Sequence, residues 1–382
     1  MIIGFDVNSI YGTLTGVGKY SLSLINTLRK LYENDIFKFY SYAIRTGPRK
    51  QKLDIFPSEN NVTYPMFFNH GIGFYVLWNY LKWPRVESMI GEVDIVHGLS
   101  WLVPATKKAK KVVTIHDLTS LTHPDYHPTW RAKLYPRYID YSVNNSDAIF
   151  TVSESTKADI LKFFKINPDK ITVSYNGVDS QIFYPLNDEN AVEAARKKLG
   201  ITKKYIYYLG TIEPRKNVDK LVDAFLNAQK MASEPLQLVL SGMIGWKVDG
   251  LMKKITSYAA SKDIIYTGYI DIKDAVALYN GADAFVYPSQ YEGFGIPVAE
   301  AMACGCPVIT SNVSSLPEVA GNAGILVNPN DIDELTDSIF KVVEDVDLRK
   351  QMKIDSIKQS RKFTWENTAK TAYHVYEKIL SE

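Results

Sequence analysis

The sequence predicts an α/β protein made of two Rossmann-like domains, each on its own parallel sheet. Three observations lead there. The 382 residues exceed one ordinary core and suit two domains. Short apolar runs alternate with amphipathic stretches at helical spacing, the pattern of strands covered by helices on both faces. That alternation occurs twice along a chain with 46% hydrophobic and 23% charged residues, a balance that folds.

In the first half, the strand-like runs are IIGFDV, FKFYSYAI, DIVHGL, KKVVTIHDL, DAIFTVS and KITVSYNGV, with GKYSLSLINTLRKLYE as the first helix. From Tyr205 the order is YIYYLGTI, helix NVDKLVDAFLNAQKM, LQLVLSGMI, helix GLMKKITSYAA, DIIYTGYI, helix KDAVALYNG, DAFVYPS, helix PVAEAMACG and PVITS. Between the halves, SQIFYPLNDENAVEAARKKLG is polar, contains Pro185 and has no strong β run. Domains of 1–180 and 181–364 follow. The last stretch, about 365–382, has Thr364 as a cap and Ala369, Ala372, Tyr373, Tyr376, Ile379 and Leu380 at helical spacing, so it is expected to pack back on the first domain. Open parallel sheets bind ligands at their carboxyl ends, and two such ends facing each other make an interdomain cleft.

Composition removes several classes. The net charge is +2, and the densest basic run, KKAKK from Lys107 to Lys111, reads as a solvated turn, so nucleic acid is not an expected partner. MIIGFD reads as a buried strand, and no run approaches the roughly 18 apolar residues of a membrane span. A cytoplasmic protein is expected, soluble or peripheral at the inner face of the membrane. Cys304 and Cys306 are too few for a disulfide framework or a zinc site and read as small core residues.

SQYEGFGIPVAEAMACGCPVIT places Glu292 and Glu300 on either side of a Gly-Phe-Gly turn at a strand-to-helix junction. Glu300 alone is explained by a helix's first turn, where the macrodipole favours a carboxylate. Glu292 is not, because Gly293 and Gly295 let the backbone approach a bound molecule and the helix start offers N–H groups. GTIEPRKN puts Arg215 and Lys216 at the entry to a helix, where an anion is favoured over a cation, so the pair points to an anionic ligand. TGVGKY at the first helix fails the spacing of a phosphate loop and lacks the third glycine of a dinucleotide fingerprint, yet Gly16, Val17 and Gly18 still open a helix toward an anion. His116 and His97 each end a strand without a nucleophile motif nearby. The D-x-D pairs Asp331/Asp333 and Asp345/Asp347 read as helix-associated, and no metal is expected.

Together, GTIEPRKN, SQYEGFGIPVAEAMACGCPVI and LPEVAGNAGILVNPND resemble the retaining GT-B glycosyltransferases of family 4, marked by an E-x7-E motif. TGVGKY, IHDLTSLTHPDYHP, TVSESTKADI and YNGVD resemble the mannosyltransferase-B-like branch, so the likeness spans nearly the whole chain. It implies a metal-independent hexosyltransferase that uses a sugar nucleotide as co-substrate and no cofactor. Carried over by position, it implies that Glu300 binds the ribose hydroxyls and Glu292 faces the donor sugar. Lys216 with Arg215 holds the diphosphate, and His116 contacts the donor sugar through its backbone or ring. Gly16 to Gly18, and the backbone of Phe294, Gly295, Ile296 and Pro297, hold phosphate and sugar, while Gly268, Tyr269 and Ile270 meet the base. Many relatives have an arginine directly after the strand-end glycine; here Thr211 follows Gly210.

The implied donor is GDP-mannose, with a UDP-sugar as the alternative. Acceptors of this branch are saccharides or lipid-linked saccharides, with peripheral membrane contact. Two aromatic and basic stretches, Gly73 to Arg85 and His127 to Tyr141, read either as amphipathic helices whose rings fill the core or as an exposed platform. In the second reading Lys82, Arg85, Arg131, Lys133 or Arg137 meets anionic head groups. A sugar-nucleotide epimerase, a phosphorylase and a non-catalytic two-lobed sugar-binding protein are the competing readings.

Overall fold

The computed structural model describes residues 1–10, 16–41, 62–63, 71–258 and 260–382. Gly12, Thr15, the end of FKFYSYAI beyond residue 41 and the Arg131 side chain lie outside the described residues. The chain divides into two compact units, Met1–Gly177 with Trp365–Glu382, and Val178–Thr364.

The first unit holds strands β1 (Ile2–Asp6), β2 (Ile36–Tyr40), β3 (Val62–Thr63), β4 (Ile95–Gly98), β5 (Lys110–Ile115), β6 (Ala148–Thr151) and β7 (Ile171–Val173). They form one sheet in the order β3-β2-β1-β4-β5-β6-β7, and every pairing is parallel. The helix Gly16–Leu31 turns Tyr20, Leu24, Ile25 and Leu28 inward, a spacing of one helix face. The final helix, Trp365–Ser381, packs against it: Tyr373 stacks on Tyr32, while Ala369, Ala372, Tyr376 and Ile379 are buried and Leu380 is not. KKAKK is not wholly a turn, because Lys110 and Lys111 open β5. The three amides before them are gathered by one carboxylate oxygen of Glu87, at 2.7, 3.0 and 3.1 Å.

The second unit holds β8 (Lys204–Leu209), β9 (Leu236–Ser241), β10 (Ile264–Gly268), β11 (Ala284–Tyr287), β12 (Val308–Ser311) and β13 (Ile325–Val327). Their order is β10-β9-β8-β11-β12-β13, again all parallel. This is a doubly wound sheet whose order reverses between β8 and β11, and a ligand is expected where the loops leaving those two strands diverge. Helix Val218–Met231 buries Leu221, Val222, Phe225 and Ala228. A helix also lies at the expected boundary. The polar stretch at the expected boundary forms Glu189–Leu199, capped by Asp188 and closed by Gly200 in the left-handed region.

Candidate functional site

Arg215 and Lys216 lie on a single 3-10 turn, Pro214–Lys216, that follows β8. Glu292 lies in the loop that follows β11. The two loops leave neighbouring strands at the reversal and are tied together: the Arg215 carbonyl accepts from the Gln290 amide at 2.8 Å, with Ser289 Oγ 3.1 Å away. The sequence pairs that looked separate are one cluster.

The Arg215 guanidinium is committed on three sides. Its Nε and Nη2 donate to Glu213 Oε1 at 3.0 and 2.7 Å, and Nη1 donates to the Tyr291 carbonyl at 2.6 Å while lying 3.0 Å from Glu292 Oε2. The Lys216 ammonium donates to Glu292 Oε1 and to the Tyr287 hydroxyl, each at 2.5 Å. An ammonium has three N–H groups, so among the described residues one has no partner and is open to a ligand. Ser289 Oγ adds a second donor to Glu292 Oε1, at 2.7 Å. The four side chains carry two positive and two negative charges and are nearly buried: Glu213 is 6% exposed, Lys216 8% and Glu292 7%.

Burial raises the affinity of Glu292 for a proton, but the charges of Arg215 and Lys216 and the bonds from Lys216 and Ser289 outweigh it and hold the carboxyl at about 2. Burial, then the repulsion of Arg215, lowers Lys216 below the ordinary lysine range, against the pull of Glu292 and Glu213. Glu292 is therefore a carboxylate at neutral pH.

The loop carrying Glu292 is held from behind. Its amide donates to Ser314 Oγ at 3.0 Å, and the single hydrogen of Ser315 Oγ lies between the carbonyls of Glu292 (3.0 Å) and Phe294 (2.9 Å). Gly295 has φ +105°, and a Cβ there would come 2.7 Å from Leu316 Cδ2, so only glycine fits. The Phe294 ring is buried against Phe363, and Ile296 opens the helix Ile296–Ala303 with Pro297 in its first turn. Glu300 is the fifth residue of that helix, not part of its first turn, so macrodipole capping does not explain it. It is 4% exposed, with the Tyr279 hydroxyl 3.5 Å from Oε2. On the neighbouring half of the sheet, Gly268 ends β10 at φ +68°, Tyr269 is exposed and Ile270 half-buried.

In the first unit, Gly16, Val17 and Gly18 form the first residues of the helix Gly16–Leu31, with Gly16 exposed. His116 is a buried imidazole whose Nε2 donates to the Leu99 carbonyl at 2.9 Å, with Tyr20 edge-on to the ring. Desolvation lowers its proton affinity, so it is neutral and not an acid at neutral pH. His97 is structural: Nδ1 meets the Tyr376 hydroxyl at 2.6 Å and Nε2 meets Thr114 Oγ1 at 2.8 Å, tying β4 to the final helix. Asp331 and Asp345 are N-caps that accept from the amides of Glu334 and Leu348. Cys304 and Cys306 are buried free thiols, Cys306 pushed up to about 12 by burial.

Sequence reasoning passed over Glu213, Ser314, Ser315 and Tyr287. Glu213 had a signal, standing two residues before Arg215. The serines had none, because their contacts with the Glu292 loop span more than twenty residues.

Residues 14–182 match the model of Glycosyltransferase Family 4, and residues 191–359 that of Glycosyl transferases group 1. The O-antigen chain mannosyltransferase B of Escherichia coli is 31% identical over 395 residues, covering 99% of this chain and 100% of that protein. The serotype-specific mannosyltransferase WbdA of Escherichia coli is 28% identical over 303 residues, which is 75% of this chain but 37% of WbdA. Among solved structures, sucrose-phosphate synthase from Thermosynechococcus elongatus superposes with a TM-score of 0.77 over 100% of this chain and 99% of that one, at 18% identity, a likeness of fold. The chain therefore belongs to the family 4 glycosyltransferases and is a hexosyltransferase of the GT-B fold.

Proposed function

We propose that the chain moves mannose from GDP-mannose onto a saccharide or lipid-linked saccharide of the O-antigen class, with retention of anomeric configuration and without a metal ion. The observation that carries this reading is the Lys216 ammonium, buried beside a second cation at the sheet's reversal with one N–H unspent. Such a group suits a diphosphate, because a charge-assisted hydrogen bond in a dry site is stronger than one in water. Sugar and acceptor class come from the names of the relatives. Glu300 then serves the ribose, Glu292 the donor sugar and Gly268 to Ile270 the base.

Retention is supported by the state of Glu292. With both oxygens bonded and a carboxyl held at about 2, it is a poor base and a poor nucleophile. The departing phosphate oxygen is left to take the acceptor's hydroxyl proton as the glycosidic bond forms on the same face. That the first residues of both D-x-D pairs are spent on helix caps supports a metal-free site.

Titrating the full chain with GDP and UDP in EDTA tests the donor. GDP should bind more tightly, and mannosyl transfer should persist in the chelator; a clear preference for UDP would move the reading to a UDP-sugar. Glu300→Ala should weaken nucleotide binding by about 1 to 3 kcal/mol, the range for hydrogen bonds to a charged group. Unchanged affinity in the folded variant would remove Glu300 from the ribose.

The acceptor side carries a second prediction. Trp78 fills the core, with its indole N–H donating to the Pro84 carbonyl at 2.9 Å, yet Tyr80, Leu81 and Trp83 are exposed beside exposed Lys82 and Arg85. Among the described residues no helix is long and apolar enough to cross a membrane. Aromatic rings with adjacent cations suit the interface of an anionic bilayer, where each cation contributes about 1 kcal/mol. Replacing Lys82 and Arg85 with glutamine and Trp83 with alanine should abolish binding to anionic vesicles and slow transfer to a lipid-linked acceptor, with transfer to a soluble acceptor intact. Unaltered vesicle binding would refute the membrane contact.

A further inference from the structure

We infer that Tyr287 is a positioning residue for Lys216: its hydroxyl fixes the ammonium so that the N–H left over is aimed at the donor's diphosphate. The inference rests on the reading of Lys216 as the diphosphate contact. Tyr287 is the last residue of β11 and is 1% exposed. Its ring is stacked on Tyr208 (centroids 5.7 Å, 17° between planes) and lies 5.7 Å from that of Phe285 on the same sheet face. Its carbonyl accepts from Thr310 Oγ1 at 2.8 Å. Ring and backbone are both fixed, so the hydroxyl is a stationary acceptor.

A lysine side chain has four rotatable bonds and little geometric preference of its own. Two acceptors remove that freedom, because bonds to Tyr287 and Glu292 together orient the tripod of N–H groups and leave only the third unassigned. Glu292 alone would permit rotation about a single contact. The tyrosine is a neutral partner as well: burial, reinforced by Glu292, raises its proton affinity well above the ordinary phenol range, so it accepts from the ammonium without cancelling its charge. Gly210 makes room for the pair, since a Cβ there would stand 2.9 Å from the Tyr208 hydroxyl and 3.5 Å from Tyr287 Cε2. Thr211 follows Gly210, and the strand end is braced by tyrosines; the Tyr208 hydroxyl donates to the Thr211 carbonyl at 3.1 Å.

Tyr287→Phe keeps the ring and its stack and deletes only the hydroxyl. Turnover should fall about tenfold, as for the loss of one hydrogen bond to a charged group, while the KM for the donor changes little. The alkaline limb of the turnover profile should move to lower pH, because removing an acceptor from the charged form disfavours it. Tyr208→Phe, which loses a hydroxyl bonded to backbone in the same stack, should leave that limb in place. A Tyr287→Phe enzyme whose turnover and pH profile match the wild type, while Lys216→Met is inactive, overturns the role of Tyr287 alone. If Lys216→Met keeps its turnover, the reading of Lys216 falls and that of Tyr287 with it. A profile shifted equally by Tyr208→Phe would show a packing effect and would also overturn the inference.

Discussion

Lys216→Met should lower turnover on the order of 100-fold or more, the scale on which loss of one preorganised donor to developing charge is felt. The argument runs from burial to rate. The ammonium is 8% exposed and is held by two fixed acceptors, so it pays almost no reorganisation when negative charge grows on the leaving diphosphate. A solvated lysine would be worth far less. Methionine preserves most of the volume and leaves Glu292 paired with Arg215 and Ser289, but the cluster gains a surplus negative charge and loses stability, so turnover is compared per folded molecule. The loss should appear in turnover more than in the donor's KM, as for an interaction strengthened in the transition state. Because burial and Arg215 hold Lys216 below the ordinary lysine range, wild-type turnover should decline on the alkaline side before pH reaches about 10.4, the value of a free lysine. A variant that binds donor more weakly yet turns over at the wild-type rate would make Lys216 a ground-state contact only.

Arg215 answers differently, and here structure adds what sequence could not. The two cations are adjacent in GTIEPRKN and look equivalent. In the fold, Arg215 spends its guanidinium on Glu213, the Tyr291 carbonyl and Glu292, so it sets the loop and the local field, while Lys216 keeps a donor to spare. Glu213 is local to the motif, but Tyr287, Tyr291 and Glu292 belong to the end of β11 and the loop after it, and no local pattern encodes those contacts.

Much of the fold was legible because parallel strands buried on both faces advertise themselves as apolar runs; β11, with all of Ala284–Tyr287 buried, is an example. The exceptions are elements too short or too polar to show a pattern. Strands β3 and β13 have two and three residues, and the helix Glu189–Leu199 buries only Ala195. The site was legible where charge sits against expectation: two cations at a helix start and a glutamate beside a glycine turn. Tyr287 was not, because at the end of DAFVYPS it reads as one more buried strand residue, and its hydroxyl acquires meaning only when Lys216 is beside it. His97 shows the converse. It ends a strand as His116 does, but its partner Tyr376 lies 279 residues away and makes it a core brace.

Glu292→Gln should destabilise the Val178–Thr364 unit by about 3 to 5 kcal/mol, the cost of removing one partner from a buried ion pair. The neutral cluster of Glu213, Arg215, Lys216 and Glu292 would become a buried net positive charge, and an amide cannot accept on both ends from Lys216, Ser289 and Arg215. Hydrogen exchange reads the unit by itself: amides of β8 and β11 should lose protection, while those of β1 and β5 keep it. Combining Glu292→Gln with Lys216→Met should recover part of the loss, since the surplus charge is then gone and the two substitutions share one contact. The pH dependence has a definite sign. Glu292's carboxyl falls from 4.5 to about 2 in the folded chain, so its contribution is fully present above about pH 4.5 and is lost as pH falls toward 2. The glutamine variant lacks that contribution at every pH, and the gap between it and the wild type should therefore narrow across that acid window. A gap that stays constant down to pH 2 would mean that lost packing, not the ion pair, accounts for the destabilisation.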